Sequence, residues 1–371
     1  MSEQRVLSAD NNYIEVEQYI KEKNIKKIFL VCGSSFQFLK IGNCLKRLEE
    51  RKEICLIKFS EFTPNPSYES VVKGVELLKK EQCDLIVAIG GGSAIDVAKC
   101  IKLYSNMDST KNYLEQTIVS NNLTLFAVPT TAGTGSEATR YAVIYYNGEK
   151  QSVTHESCIP QVVLMDASAL ETLSEYQKKA TMLDAFCHAV ESFWSVNSTK
   201  ESKKYSEEAI QLILKNKKAY LENKVEGNKN MLLAANIAGK AINITQTTAG
   251  HAMCYKLTSL YGLAHGHAAA LCVSVLWEYM LEHTEECIDS RGKEYLDTVF
   301  LSLAKIMESH SPKEAVKKFQ VILKEIGIEV PIIKERDYDV LKKSVNLVRL
   351  KNNPIKLTEK VIEELYRNMN V

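Results

Sequence analysis

Four apolar runs early in the chain each close on glycine, serine or threonine: KKIFLVCG (26–33), EICLIKFS (53–60), CDLIVAIGGG (83–92) and LTLFAVPTT (123–131). Between them, stretches such as SYESVVKGVELLKKEQ (67–82) place apolar residues at three- and four-residue steps, the period of a helix. Strands that alternate with helices can return to one sheet only by crossover, so the pattern predicts a parallel sheet with covering helices. ATRYAVIYYNGEKQSVTH (138–155) reads as a hairpin turning at Asn147-Gly148, and QVVLMD (161–166) as the last strand.

After about residue 172 the period changes. LSEYQKKATMLDAFCHAVESFWS, SKKYSEEAIQLILKNKKAYL and NKNMLLAANIAGKAINITQ all carry helical spacing. The expected organisation is a Rossmann-like α/β dinucleotide-binding domain over 1–172 and an all-helical, metal-binding catalytic domain over 173–371. A crevice between two such domains is the expected place for a ligand.

The 371 residues carry 47 basic and 46 acidic side chains, a net charge of +1. That balance excludes a general nucleic-acid or membrane-surface role, which needs a basic excess. The first twenty residues lack the apolar core of a secretion signal, no run is long enough to cross a bilayer, and the ten cysteines form no CxxC pair. Reduced thiols and a cytoplasmic location are expected.

AIGGGSAIDVAK (88–99) joins a strand to a helix through Gly90, Gly91 and Gly92. Glycines let backbone approach a ligand, Ser93 is a candidate N-cap, and the helix N-terminus favours a diphosphate. A plain tight turn is the alternative, but it does not require three glycines. PTTAGTGSEAT (129–139) is a second loop of hydroxyls and glycines after a strand, and two such loops fit one dinucleotide. At the end of the first strand Gly33, Ser34 and Ser35 supply no acidic group for ribose hydroxyls, which tilts the expectation from NADH toward NADPH.

Seven histidines occur in the chain, three of them in GHAMCYKLTSLYGLAHGH (250–267). Asp184 and His188 lie four apart on one helix face, and glycines at 250, 262 and 266 allow a turn between His251 and His265. One carboxylate with three neutral imidazoles suits a divalent ion, Fe(II) or Zn(II). Each histidine alone also reads as an ordinary core or surface residue.

Taken together, GGGSAIDVAK, TTAGTGSE, Asp184-x3-His188 and His251-x13-His265 resemble the iron-containing (group III) alcohol dehydrogenase family, which has the dehydroquinate-synthase-like fold. The resemblance implies Asp184, His188, His251 and His265 as metal ligands. It places Gly91, Gly92, Ser93, Asp96, Thr131, Thr134 and Ser136 along the cofactor, with Gly33, Ser34, Gly90 and Thr130 beside them, and Lys150 near the nucleotide. It also implies a homodimer or larger assembly. Many members carry a histidine where this chain has Tyr255, so the proton relay falls to Tyr255 or to His267, for which a capping role is the alternative.

The variant around Tyr255-Lys256, with WSVNSTKES (194–202), is similar to the phosphonoacetaldehyde reductases. A phosphonate-bearing aldehyde needs cations, and Lys256 and Arg140 are candidates for holding it. Arg349 and Lys351 near the C-terminus are further candidates, with a solvated surface charge the favoured reading for both. The competing expectations are a general short-chain aldehyde reductase of the same family, a dehydroquinate-synthase-like lyase and a non-catalytic nucleotide-binding module.

Overall fold

The computed structural model describes residues 4–369. The chain divides into two compact units between Leu173 and Ser174.

The first unit runs β1 (Arg5–Ser8), α1 (Asp10–Glu22), β2 (Lys27–Cys32), α2 (Lys40–Glu50), β3 (Cys55–Phe59), α3 (Tyr68–Glu81), β4 (Leu85–Gly90), α4 (Gly92–Tyr104), β5 (Thr124–Pro129), β6 (Tyr141–Tyr146), β7 (Glu149–Thr154) and β8 (Val162–Met165). Six strands form one parallel sheet in the order β1-β8-β5-β4-β2-β3. The central strands read as unbroken apolar runs because both faces are covered. Phe29, Val31, Ile86, Ala88, Leu125 and Ala127 pack on one side. Ile28, Leu30, Leu85, Val87, Phe126 and Val128 pack on the other. Burying each Val, Leu, Ile or Phe among them contributes roughly 1.5–3 kcal/mol.

Register then sets where the loops leave the sheet. Gly90 pairs with Pro129, so β4 and β5 end level and their loops emerge side by side. The hairpin β6–β7 forms a separate two-stranded sheet. It turns through Asn147 (φ 53°) and Gly148 (φ 77°), the pair of positive φ angles a tight hairpin requires.

The second unit is helical: α5 (Glu175–Trp194), α6 (Lys200–Leu221), α7 (Val225–Thr245), α8 (Ala249–Tyr261), α9 (His265–Glu282), α10 (Lys293–Ile306), α11 (Pro312–Glu325), α12 (Tyr338–Lys343), α13 (Leu347–Leu350) and α14 (Glu359–Arg367). Ser174 and Thr199 start α5 and α6 by accepting backbone N–H groups in their first turns. Gly262 ends α8 at φ 67°, a left-handed C-terminal stop that sends the chain back as α9. No helix among the described residues is long and apolar enough to cross a membrane.

Candidate metal centre and cofactor loops

Three helices of the second unit bring four side chains to one point. On α5, Asp184 and His188 share a face one turn apart. His251 stands in the first turn of α8 and His265 opens α9. Asp184 Oδ1 lies 3.3 Å from Nε2 of His251, 3.8 Å from Nε2 of His188 and 3.9 Å from Nε2 of His265. The His188 and His251 rings stack at 4.5 Å.

Gly266 permits this arrangement. A Cβ there would stand 2.0 Å from the Ala180 carbonyl oxygen and 2.6 Å from Asp184 Cβ. The start of α9 therefore crosses α5 backbone to backbone, and only glycine lets His265 reach Asp184.

A second buried carboxylate completes the cluster. Glu191, one turn beyond His188 on α5, is fully buried and bonds His251 Nδ1 through Oε2. Its Oε1 accepts from Thr248 N (3.1 Å), Thr248 Oγ1 (2.7 Å) and His251 N (3.2 Å). One carboxylate thus caps the first turn of α8 and fixes the ring of His251 on it. Gly250 is required here as well, since a Cβ would approach Val273 Cγ2 to 2.5 Å and Glu191 Oε1 to 3.0 Å. Glu191 does not stand out in the sequence. Its signal was the continuation of Asp184 and His188 to the next position on the same face.

Burial pushes the Asp184 carboxyl up, but the imidazoles of His188, His251 and His265 outweigh it and hold the group below the ordinary carboxylate range. Burial lowers His251, while Glu191 and Asp184 raise it further, to about 10. Two buried carboxylates among three imidazoles call for a positive charge. Oxygen and imidazole donors at this spacing fit a divalent cation, which takes the place a proton otherwise fills on His251. Asp184, His188 and His251 are each less than a tenth exposed, whereas the His265 side chain is 38% exposed, so the cluster opens on the His265 side.

The remaining residues around the cluster divide clearly. Tyr255, one turn after His251, stacks on the His265 ring at 5.5 Å and 12°. Burial raises its hydroxyl, which keeps its proton. His267 takes a different place: Nδ1 meets Tyr176 Oη at 3.0 Å and Nε2 meets the Glu329 carbonyl at 2.8 Å. Both ring nitrogens tie α9 to neighbouring segments. Lys256 lies half-buried on α8. Burial raises the thiols of Cys187 and Cys272, consistent with packing rather than reactivity.

In the first unit the two glycine-rich loops pack against each other. Cβ atoms at Gly90, Gly91 and Gly92 would meet Ala94 Cβ at 2.6 Å, Thr131 at 3.2 Å and Thr134 Cγ2 at 2.9 Å. Gly91 and Gly92 therefore let the two loops lie side by side, while Gly90 makes room for the first turn of α4. The N-cap of α4 is Gly91, not Ser93, because the helix already begins at Gly92. Thr130 N donates to Gly90 O at 3.0 Å, and Ser136 N donates to Thr134 Oγ1 at 3.2 Å.

Asp96 reaches across this pair of loops. Its Oδ1 accepts from Ser136 Oγ at 2.6 Å and its Oδ2 from Val143 N at 3.0 Å. Burial raises the Asp96 carboxyl, and Lys99, with Lys150 a smaller contributor, opposes that rise. Buried Lys99 donates to the carbonyls of Thr139 and Tyr141, anchoring the hairpin on α4. Arg140 pairs with Glu156 at 2.7 Å and lies over the Tyr141 ring. At the end of β2, Ser34 and Ser35 are exposed, and no heavy atom lies within 4 Å of where a Cβ of Gly33 would stand.

Comparison with known proteins gives this geometry its context. The iron-containing alcohol dehydrogenase family matches residues 3–167, and the C-terminal region of the same family matches 178–370. Alcohol dehydrogenase 4 of Saccharomyces cerevisiae is 29% identical over 343 residues, covering 88% of this chain and 86% of that protein. The 1,3-propanediol dehydrogenase of Citrobacter freundii is 32% identical over 264 residues, 69% of this chain and 68% of that protein. In fold, the chain is similar to sulfoacetaldehyde reductase from Bifidobacterium kashiwanohense, solved with NAD+, with a TM-score of 0.86 at 22% identity over 99% and 96% of the two chains. The chain belongs to the iron-containing alcohol dehydrogenase family and is an oxidoreductase of alcohols and aldehydes that works with a nicotinamide cofactor and a metal.

Proposed function

We propose that this enzyme reduces phosphonoacetaldehyde to 2-hydroxyethylphosphonate with NADPH and a divalent metal, Fe(II) or Zn(II), as a homodimer or larger assembly. The observation that carries the redox reading is the convergence of three imidazole nitrogens on Asp184 Oδ1. The phosphonate reading rests on the Tyr255-Lys256 variant of the His251–His265 segment. NADPH is supported by the absence of an acidic group at Gly33-Ser34-Ser35 and by the open space at Gly33.

In this mechanism Asp184, His188, His251 and His265 would hold the cation, which when bound would supply Lewis acidity to the carbonyl oxygen, and a bound nicotinamide would supply hydride. Asp184 gives the cluster its anionic oxygen. Glu191 keeps the second nitrogen of His251 occupied, so that Nε2 stays aimed at the cluster. Tyr255, protonated and stacked on His265, passes a proton to the product oxygen. His267, with both nitrogens engaged, takes no part in that transfer. The backbone of Gly91, Gly92 and Ser93, with Thr131, Thr134 and Ser136, carries the cofactor diphosphate.

A second reading is a general short-chain aldehyde reductase, favoured by the plain diol named for the Citrobacter freundii relative. One assay separates the two. NADPH and NADH oxidation is followed with phosphonoacetaldehyde and with unsubstituted aldehydes, under Fe(II) and under Zn(II). Higher kcat/KM for phosphonoacetaldehyde is expected, and equal values across the aldehydes leave the general reading.

A further inference from the structure

The metal cluster opens beside His265, and the helix that carries His251 and Tyr255, α8, is packed against by the short helix α13. That short helix carries Arg349. Its geometry is built rather than incidental. Asn346 caps α13 by accepting from Val348 N at 3.0 Å and Arg349 N at 3.1 Å. Arg349 Nη1 donates to Gln246 Oε1 at 2.9 Å, and Asn352 Nδ2 donates to the same oxygen at 3.3 Å and to Thr247 O at 3.0 Å.

Gln246 is itself unusual. It follows the last turn of α7 with φ 60° and ψ 176°, a conformation that side-chain-bearing residues rarely adopt. Two residues later Thr248 is bound by Glu191, and three further on stands His251. The strained turn therefore joins the arginine to the α8 segment that carries a metal ligand. The Arg349 charge is felt at the Tyr255 hydroxyl: burial raises that group and the guanidinium opposes the rise. Lys351, two residues on, is exposed.

We propose that Arg349, pinned by Gln246 on the helix packed against α8, receives the tetrahedral oxyanion of an aldehyde substrate, a phosphonate or a sulfonate two carbons from the reacting oxygen. A guanidinium presents five N–H donors in a planar fork that matches such an oxyanion, and the amide oxygen of Gln246 orients the fork without neutralising it. The inference rests on the reading that aldehydes react at the Asp184–His265 cluster, and it names the residue that would select among them.

The test uses the metal-loaded full chain, wild type, Arg349→Met and Arg349→Lys. Two measurements are made: kcat/KM for phosphonoacetaldehyde, sulfoacetaldehyde and propionaldehyde, and calorimetric titration with the unreactive analogues ethylphosphonate and ethanesulfonate. Loss of a charged hydrogen-bonding partner predicts that Arg349→Met lowers the ratio of anionic to neutral kcat/KM by about 10–100-fold, with a matching loss of analogue binding. Arg349→Lys, which keeps the charge and loses the fork, falls between the two and serves if the methionine variant does not fold. Whichever analogue binds tighter identifies the source of the oxyanion. An unchanged ratio with unchanged analogue affinity in both variants overturns the assignment, as does a wild type that binds neither analogue. If no aldehyde is reduced at all, the parent reading falls, and analogue binding lost or retained in Arg349→Met still decides the role of the arginine.

Discussion

The metal cluster and the glycine loops reach their geometry by opposite routes. At the loops, side chains are removed: Gly90, Gly91 and Gly92 clear the space that Ala94, Thr131 and Thr134 fill. The relevant residues are nearly contiguous, and register between β4 and β5 places them. At the cluster, side chains are added from three helices, and a buried carboxylate aims one of them. Glycine serves there too, but at Gly250 and Gly266, where helices must touch. A backbone site fails by steric intrusion. A side-chain site fails by loss of charge.

The largest effect that can break this contrast is expected at Asp184. Asp184→Asn replaces the oxygen on which three imidazoles converge with a neutral amide of the same shape. Removing one partner of a buried charged group costs about 3–5 kcal/mol, so metal affinity is expected to fall by roughly 10²–10³-fold or more. Bound metal measured by atomic emission should fall with turnover, while nucleotide binding, read by fluorescence quenching, persists. Equal loss of both would mean that the two regions are not independently built.

Glu191→Gln tests the aiming carboxylate. Outer-shell partners of metal-bound histidines are worth about 10–100-fold in metal affinity. The same substitution has a pH signature in chelated protein. Folding raises His251 from 6.5 to about 10, so its contribution to stability is complete below 6.5 and disappears as pH rises toward 10. Glu191 is the largest cause of that rise, so thermal melts across pH 6.5–10 should lose less stability in Glu191→Gln than in the wild type. Identical pH slopes would remove Glu191 from the role of orienting His251.

Which of these features could be read from the chain follows from the same contrast. Strands covered on both faces must be apolar throughout, so β2, β4 and β5 were plain in the sequence. β1 was not, because four residues with two exposed carry no period. Asp184, His188, His251 and His265 stood out because imidazoles are rare in this chain. Glu191 did not, because a glutamate on a helix looks like a solvated surface residue until its burial is known. Arg349 read as a surface charge because its partner, Gln246, is 103 residues away. The same distance blindness hid the hold of Tyr176 and Glu329 on His267.

The smallest effect sharpens the comparison at the loops. A Cβ on Gly92 meets Thr134 Cγ2 at 2.9 Å and Oγ1 at 3.2 Å, contacts a rotating threonine can partly relieve. Gly92→Ala is therefore expected to cost at the low end of the 1–3 kcal/mol typical of overpacking, seen as a rise of about tenfold in cofactor Kd with metal content retained. Adding Thr134→Ser removes the methyl that collides, and the double variant should regain cofactor affinity relative to Gly92→Ala alone. The two effects are then non-additive, as expected for residues in contact. Additive losses would mean that Gly92 matters for its backbone freedom or its approach to the cofactor, and not for its packing against the second loop.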